Sequence, residues 1–211
     1  VGVSLNILNE TDETLARCVI LAHGEDGGIG WAALCRLVSA ANTTKRKEAG
    51  IRLSELAKHI NRDSLTVATV LLGPDSNFGR ATLTDNRTEA AGVLIQWIRA
   101  LSGKGALAVE IATHLTKPGS PYSLTQARRM LALADNLGVP AILTNAVRYL
   151  EPDDALTADV LDAARFLEPL GNFELQPNAQ GWLKPASLMH AIALEVTEDR
   201  VRAKKLLDTT E

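Results

Sequence analysis

Residues 105–144 read GALAVEIATHLTKPGSPYSLTQARRMLALADNLGVPAILT, and their periodicity decides the class of fold. The apolar run at 105–111 has the β-branched content of a strand. A helix is expected at 124–137, where Ser123 is placed to cap it, Gln126 to complete a capping box, and Gly138 with Pro140 to stop it. A second apolar run at 139–144 predicts another strand. Strand, helix and strand at these lengths make a βαβ unit, which joins two parallel strands by a right-handed crossover. Val109 and Ile142 are expected to be buried in the two neighbouring strands.

The same alternation extends toward the start of the chain. Strands are expected at 2–8, 17–22 and 65–72, and helices at 31–42, 53–60 and 86–101. Trp31, Leu34, Cys35 and Val38 recur at helical spacing, as do Val93, Leu94, Trp97 and Ile98. After Asn145 the pattern becomes helical, at 153–166, 185–195 and 197–207, with 168–184 reading as an irregular surface loop. The expected class is α/β with a mostly parallel sheet, open or closed into a barrel. Residues 1–150 form its α/β portion, and residues 151–211 supply C-terminal helices.

Composition narrows the function. The 211 residues are 46% hydrophobic and 22% charged, with a net charge of −3, so the chain as a whole is no polyanion binder. From Glu151 to Gly181 seven acids face one base, Arg165, a stretch that phosphate backbones would avoid. The basic cluster Arg200, Arg202, Lys204 and Lys205 reads as the solvated face of a helix. No apolar run approaches the roughly 20 residues that cross a bilayer. Cys18 and Cys35 are too few for a disulfide scaffold and fit no zinc spacing. These features predict a soluble protein of a reducing compartment, the cytoplasm, with no membrane partner. Val1 begins without an initiator methionine in what reads as a strand already under way, so a segment of a longer polypeptide is expected.

Chemistry-bearing motifs are sparse. The loop Gly24 to Gly30 feeds a helix, as phosphate-binding loops do, but it is neither G-x-G-x-x-G nor a P-loop, and Glu25 and Asp26 would oppose a phosphate. A tight strand-to-helix turn accounts for it better. Of His23, His59, His114 and His190, none forms a ligand pair such as H-x-H. His114 stands out because it follows Glu110 by four residues, just past a strand end where α/β sites are built. Asp153 and Asp154 after Pro152 read as a helix N-terminus.

Gly138-Val139-Pro140-Ala141-Ile142-Leu143-Thr144-Asn145-Ala146-Val147-Arg148-Tyr149 resembles the last metal motif of the PHP (polymerase and histidinol phosphatase) domain of bacterial DNA polymerase III α subunits. That family reads G-x-P-x-x-A-T-N-D-V-H-Y there. The opening Val1-Gly2-Val3-Ser4-Leu5-Asn6 is similar to its V-G-V-E-L-N strand. Val19 to Ala22 with Trp31 to Ser39, Val70 to Gly73, Val109 to His114, Ala158 to Leu161 and Trp182 to Lys184 resemble further family segments in the right order. The resemblance implies a partial, distorted (βα)7 PHP-type barrel over 1–150, completed or flanked by helices over 151–211.

It also implies that the metal site has degenerated. The family's glutamate falls at Ser4, its aspartate at Ala146 and its last histidine at Arg148, while a cysteine position falls at Pro74; only His114 is kept. Serine, alanine and arginine cannot stand in for carboxylate and imidazole. The expectation is therefore no catalytic, cofactor-binding or metal residue in this segment, with Arg148 held by an acid or by backbone carbonyls. The implied role is a scaffold within a DNA-directed DNA polymerase, contacting the rest of that chain and a replisome or proofreading subunit, with DNA reached only through the parent enzyme. Two rivals are an active metal-dependent phosphoesterase or exonuclease of the PHP family, and an unrelated nucleotide-binding α/β module built on the 24–30 loop.

Overall fold

The computed structural model describes residues 1–24, 28–43, 48–62, 65–101, 103 and 105–210. The chain opens with β1 (Gly2–Leu8) and β2 (Thr14–Ala22). The turn between them is organised by Asn9, whose side-chain oxygen accepts hydrogen bonds from the backbone of Thr11 and of Glu13, both at 2.9 Å. A connection this short can only fold the second strand back antiparallel, because a parallel partner needs a crossover of a dozen residues or more. β1 and β2 accordingly pair antiparallel, Leu5 opposite Cys18.

Three further segments complete the sheet after α1 (Ile29–Thr43), β3 (Ile51–Arg52), α2 (Leu53–Ile60) and the small ladder of β4 (Asn61–Arg62) with β5 (Leu65–Thr66). β6 (Ala68–Leu72) pairs antiparallel with β2. Beyond α3 (Asn77–Ala81) and α4 (Arg87–Ala100), β7 (Leu107–Ile111) lies parallel to β6. After α5 (Leu124–Leu137), β8 (Ala141–Leu143) lies parallel to β7. The order is β3-β1-β2-β6-β7-β8. The sheet is therefore mixed, and among the described residues it is open, with β3 and β8 at opposite edges rather than joined into a closed barrel.

The βαβ unit at 105–144 forms where the sequence places it, with α5 capped by the Ser123 hydroxyl and ended by Gly138 in the left-handed region (φ 69°). Three details differ. Ile142 pairs with Glu110 on the face opposite Val109, so it is half-buried while Leu143 takes the core position. Gln126 accepts from the Tyr122 amide, one residue before the cap, rather than closing a box on Ser123. The expected strand at 65–72 is broken at Val67, whose amide is drawn to the Ile60 carbonyl and whose carbonyl accepts from the His23 amide.

One face of the sheet carries the core. Ile7, Ile20, Val70, Leu72, Val109 and Ile111 are fully enclosed, together with Leu37, Leu56, Leu94, Trp97 and Met130 from the helices. On the alternate positions Ser4 and Arg17 are exposed and Val19 is half-buried. After Asn145 come a 3-10 turn at Pro152–Asp154, α6 (Ala155–Phe166), a second 3-10 turn at Leu170–Asn172, α7 (Ala186–Thr197) and α8 (Arg200–Asp208). Ile192, Ala193, Val196, Ala203 and Leu206 join the same hydrophobic cluster. Past α8, the Thr210 hydroxyl accepts from the Leu143 amide at 2.9 Å and so occupies part of the β8 edge. No helix among the described residues is long and apolar enough to cross a membrane.

Trp97 is the largest fully buried side chain, and its indole N–H donates to the Asn77 side-chain oxygen at 2.9 Å. Trp97→Ala removes both the packing and the link from α4 to α3. The expected loss is roughly 3–5 kcal/mol of unfolding free energy, measured by urea denaturation followed by circular dichroism.

Candidate active site at the strand ends

The C-terminal ends of β6, β7 and β8 lie side by side, and the segments leaving them bring together Asp75, Glu110, His114, Tyr122, Thr144 and Asn145. Glu110 is on β7, half-buried, with its carboxylate above Gly73; a Cβ on Gly73 would stand 2.5 Å from Glu110 Oε2. The Thr144 hydroxyl accepts from the Ala146 amide at 3.3 Å, which turns its proton to Glu110 Oε1 at 2.7 Å. Burial pushes the Glu110 carboxyl above its ordinary range; the Thr144 bond opposes this, and the nearby Asp75 charge adds to it.

Just beyond β7, His114 stacks on the Tyr122 ring, with centroids 4.7 Å apart and planes 13° from parallel. Its Nε2 meets the Asn145 backbone carbonyl at 2.9 Å. A carbonyl only accepts, so Nε2 carries the proton and the neutral ring keeps its lone pair on Nδ1. Burial lowers the His114 pKa; the Asn145 carbonyl and the Asp75 charge raise it, and the positive Lys184 and Arg148 lower it further. Tyr122 holds a left-handed backbone (φ 61°) and donates its hydroxyl to Asp75 Oδ2 at 2.5 Å. The phenol is pushed upward by burial and by the Asp75 charge. Gln126 locks this corner, because its amide nitrogen donates to the Pro74 and Gly79 carbonyls at 3.0 and 2.9 Å.

Asn145 is the hub. It is buried, and its side-chain nitrogen donates to the Gln180 and Trp182 carbonyls at 2.9 and 2.7 Å. Lys184 Nζ donates to its side-chain oxygen at 3.0 Å and also to the Gln180 carbonyl. Asn178 donates to the His114 carbonyl at 2.7 Å, and the Gly181 carbonyl accepts from the Arg148 amide at 2.8 Å. Residues 178–184, expected to be surface loop, thus wrap the strand ends, and Gly181 is buried in the clasp.

The five positions singled out by the family resemblance do not converge. His114 is inside the cluster. Arg148 points its guanidinium to Asp162, an exposed arginine held by an acid. Ala146 has no ligating atom and sits in the left-handed region (φ 43°). Ser4 lies on β1, where its hydroxyl accepts from Arg17 Nε at 2.9 Å. It shares a row with Val19, Leu71 and Ala108, so three interstrand spacings, about 14 Å, separate it from β7. Pro74 is buried and serves as a backbone acceptor for Gln126. Among the described residues no three His, Cys, Asp or Glu side chains gather closely enough to hold a metal ion.

Sequence reasoning gave no role to Asn145, Asp75, Tyr122 or Lys184. Asn145 had a local signal, a polar residue directly after a core strand, but its partners lie 35 to 39 residues away. In the 24–30 loop, residues 25–27 fall outside the described residues. At its described end a Cβ on Gly30 would come within 2.5 Å of the His23 carbonyl and 2.8 Å of that of Val67, so glycine is needed there for close helix–strand approach. The thiol of Cys18, on the core face of β2, is pushed by burial up to about 12, which leaves it inert. No protein-family model matches the chain, and no curated protein matches it.

Two measurements check this geometry. Ala146→Gly relieves a left-handed alanine, worth about 1–2 kcal/mol, against about 0.5–1 kcal/mol of added chain entropy; a small net stabilisation is expected in chemical denaturation. Glu110 binds its proton more tightly folded than unfolded, so its contribution to stability is best below the unfolded carboxyl pKa and falls as pH rises through the folded one. Glu110→Gln should therefore raise Tm at pH 8, with the advantage shrinking below the usual carboxylate range, as read by calorimetry across pH.

Proposed function

We propose that this chain is a non-catalytic, PHP-like region of a DNA polymerase III α subunit, a part of a PHP-type barrel that acts as scaffold for the polymerase body. The observation that carries the reading is the use made of the strand ends. In an α/β metalloenzyme the residues leaving the strands point at substrate or metal. Here the Asn145 and Lys184 side chains are spent on holding residues 180–184 in place, and the His114 ring is spent on the Asn145 carbonyl. The side chains at the positions matching the family's ligands are likewise engaged elsewhere, Ser4 with Arg17 and Arg148 with Asp162.

A scaffold of this kind acts through rigidity. The clasp ties the exits of β7 and β8 to the segment leading into α7, so the sheet and the C-terminal helices move as one unit. DNA would be met by the parent chain and not by this segment, whose acidic stretch at 151–181 repels phosphate. A proofreading or other replisome subunit would dock on its surface.

The test has two arms. The purified chain, given Mn²⁺ or Zn²⁺ and bis(p-nitrophenyl) phosphate, should show no hydrolysis above that of His114→Ala. In the polymerase that carries this region, Asn145→Ala should shorten the half-life of primer extension on mild heating. Its initial rate in the cold should stay within about twofold, because the defect is in kinetic stability rather than chemistry. Metal-dependent hydrolysis lost on His114→Ala would instead establish an active phosphoesterase and overturn the reading.

A further inference from the structure

The helix α6 is unusual in polarity. Beside the buried Ala163, its inward positions carry two carboxylates: Asp159 is buried and accepts from the Gln176 backbone amide at 3.2 Å and from its side-chain amide at 3.1 Å, and half-buried Asp162 pairs with Arg148. The outward positions Leu156, Thr157, Val160, Leu161 and Ala164 are exposed and uncharged. Leu156 and Leu161 are 61% and 65% exposed. At about 100° per residue these five fall in one arc of roughly 140°. A surface helix ordinarily shows more charge on its outer side, so an uncharged outer arc, apolar but for Thr157, marks a surface meant to be covered.

Charge around this arc is predominantly negative, with Arg165 an exposed exception. Glu151, Asp153 and Asp154 precede the helix and Glu168 and Glu174 follow it, all exposed. The local bases are occupied or aside: Arg148 is drawn to Asp162, and Arg165 lies over the Phe166 ring at 5.8 Å. We propose that the outer face of α6 docks a polypeptide segment that presents an apolar helical stripe flanked by lysines or arginines. A second copy of the same face would bring acid against acid, and an anionic lipid surface would be repelled in the same way. The inference rests on α6 and its neighbours alone and stands or falls apart from the polymerase scaffold reading.

The probe is an amphipathic helical peptide of about 18 residues made of Leu and Lys, compared with a twin in which Glu replaces every Lys. The Leu/Lys peptide should bind the 211-residue chain in calorimetry, weaken as salt is raised, and protect amides of 155–167 from hydrogen exchange. Leu156→Gln with Leu161→Gln should weaken binding at least about tenfold. Both residues are exposed, so an unchanged Tm is expected. Glu168→Lys with Glu174→Lys provides a second variant that leaves the apolar arc intact and should also weaken binding. Equal binding of the Leu/Glu twin, indifference to both double variants, or no binding would overturn the proposal. So would dimerisation abolished by the leucine substitutions, which would make a second copy the occupant, or association with phosphatidylcholine vesicles, which would make it a lipid surface.

Discussion

A buried asparagine must find partners for its two donors and its acceptor, and Asn145 finds them only in residues 180–184. An unmatched amide in such a place costs about 1–3 kcal/mol, enough to fix where the chain runs after it leaves the sheet. The backbone carbonyl of the same residue accepts the hydrogen bond of His114 Nε2, which sets the imidazole tautomer and holds the ring against Tyr122. Tyr122 in turn reaches Asp75 at the end of β6. One residue thus joins the exits of three parallel strands to a segment far along the chain.

Polar groups in such a network strengthen one another when every member is satisfied. This arrangement has the layout of an α/β active site and the hydrogen-bond economy of a structural joint. Glu110 is the member under electrostatic tension: burial and Asp75 favour its protonated form, and the hydroxyl of Thr144 favours the charged one. Its carboxylate fits only because position 73 lacks a side chain, a steric condition as strict as the electrostatic one.

The sheet's shape follows from a separate constraint. The connection from β1 to β2 is too short for anything but a hairpin, so the sheet turns antiparallel at β2 before becoming parallel again from β6 onward. The fully enclosed apolar residues gather mainly on one face beneath the helices, while the other face carries Ser4 and Arg17 on β1 and β2 and buries Leu71 and Ala108 nearer its middle. α6 breaks the pattern in its own way, turning Asp159 and Asp162 inward and its leucines out. Both choices are paired by specific partners, Gln176 and Arg148, so the inverted helix is held by polar bonds where its neighbours are held by packing.

Local chemistry determined the elements. Ser123, Gly138 and the apolar spacing of α5 depend only on residues within a turn or two, and the helices at 53–60 and 124–137 have the bounds their sequences dictate. The α/β class follows from the same alternation. Pairing direction, strand order and the openness of the sheet were settled by long-range hydrogen bonding, which no local window contains. The candidate site divides the same way. His114 was visible as a histidine past a strand end, but its partner Asn145 lies 31 residues on, and Asn178 and Lys184 lie farther still. Apolar periodicity likewise read α6 as a helix yet could not say which side faces in. That was decided by Arg148 and Gln176, because a buried carboxylate is tolerable only where the fold supplies its donor.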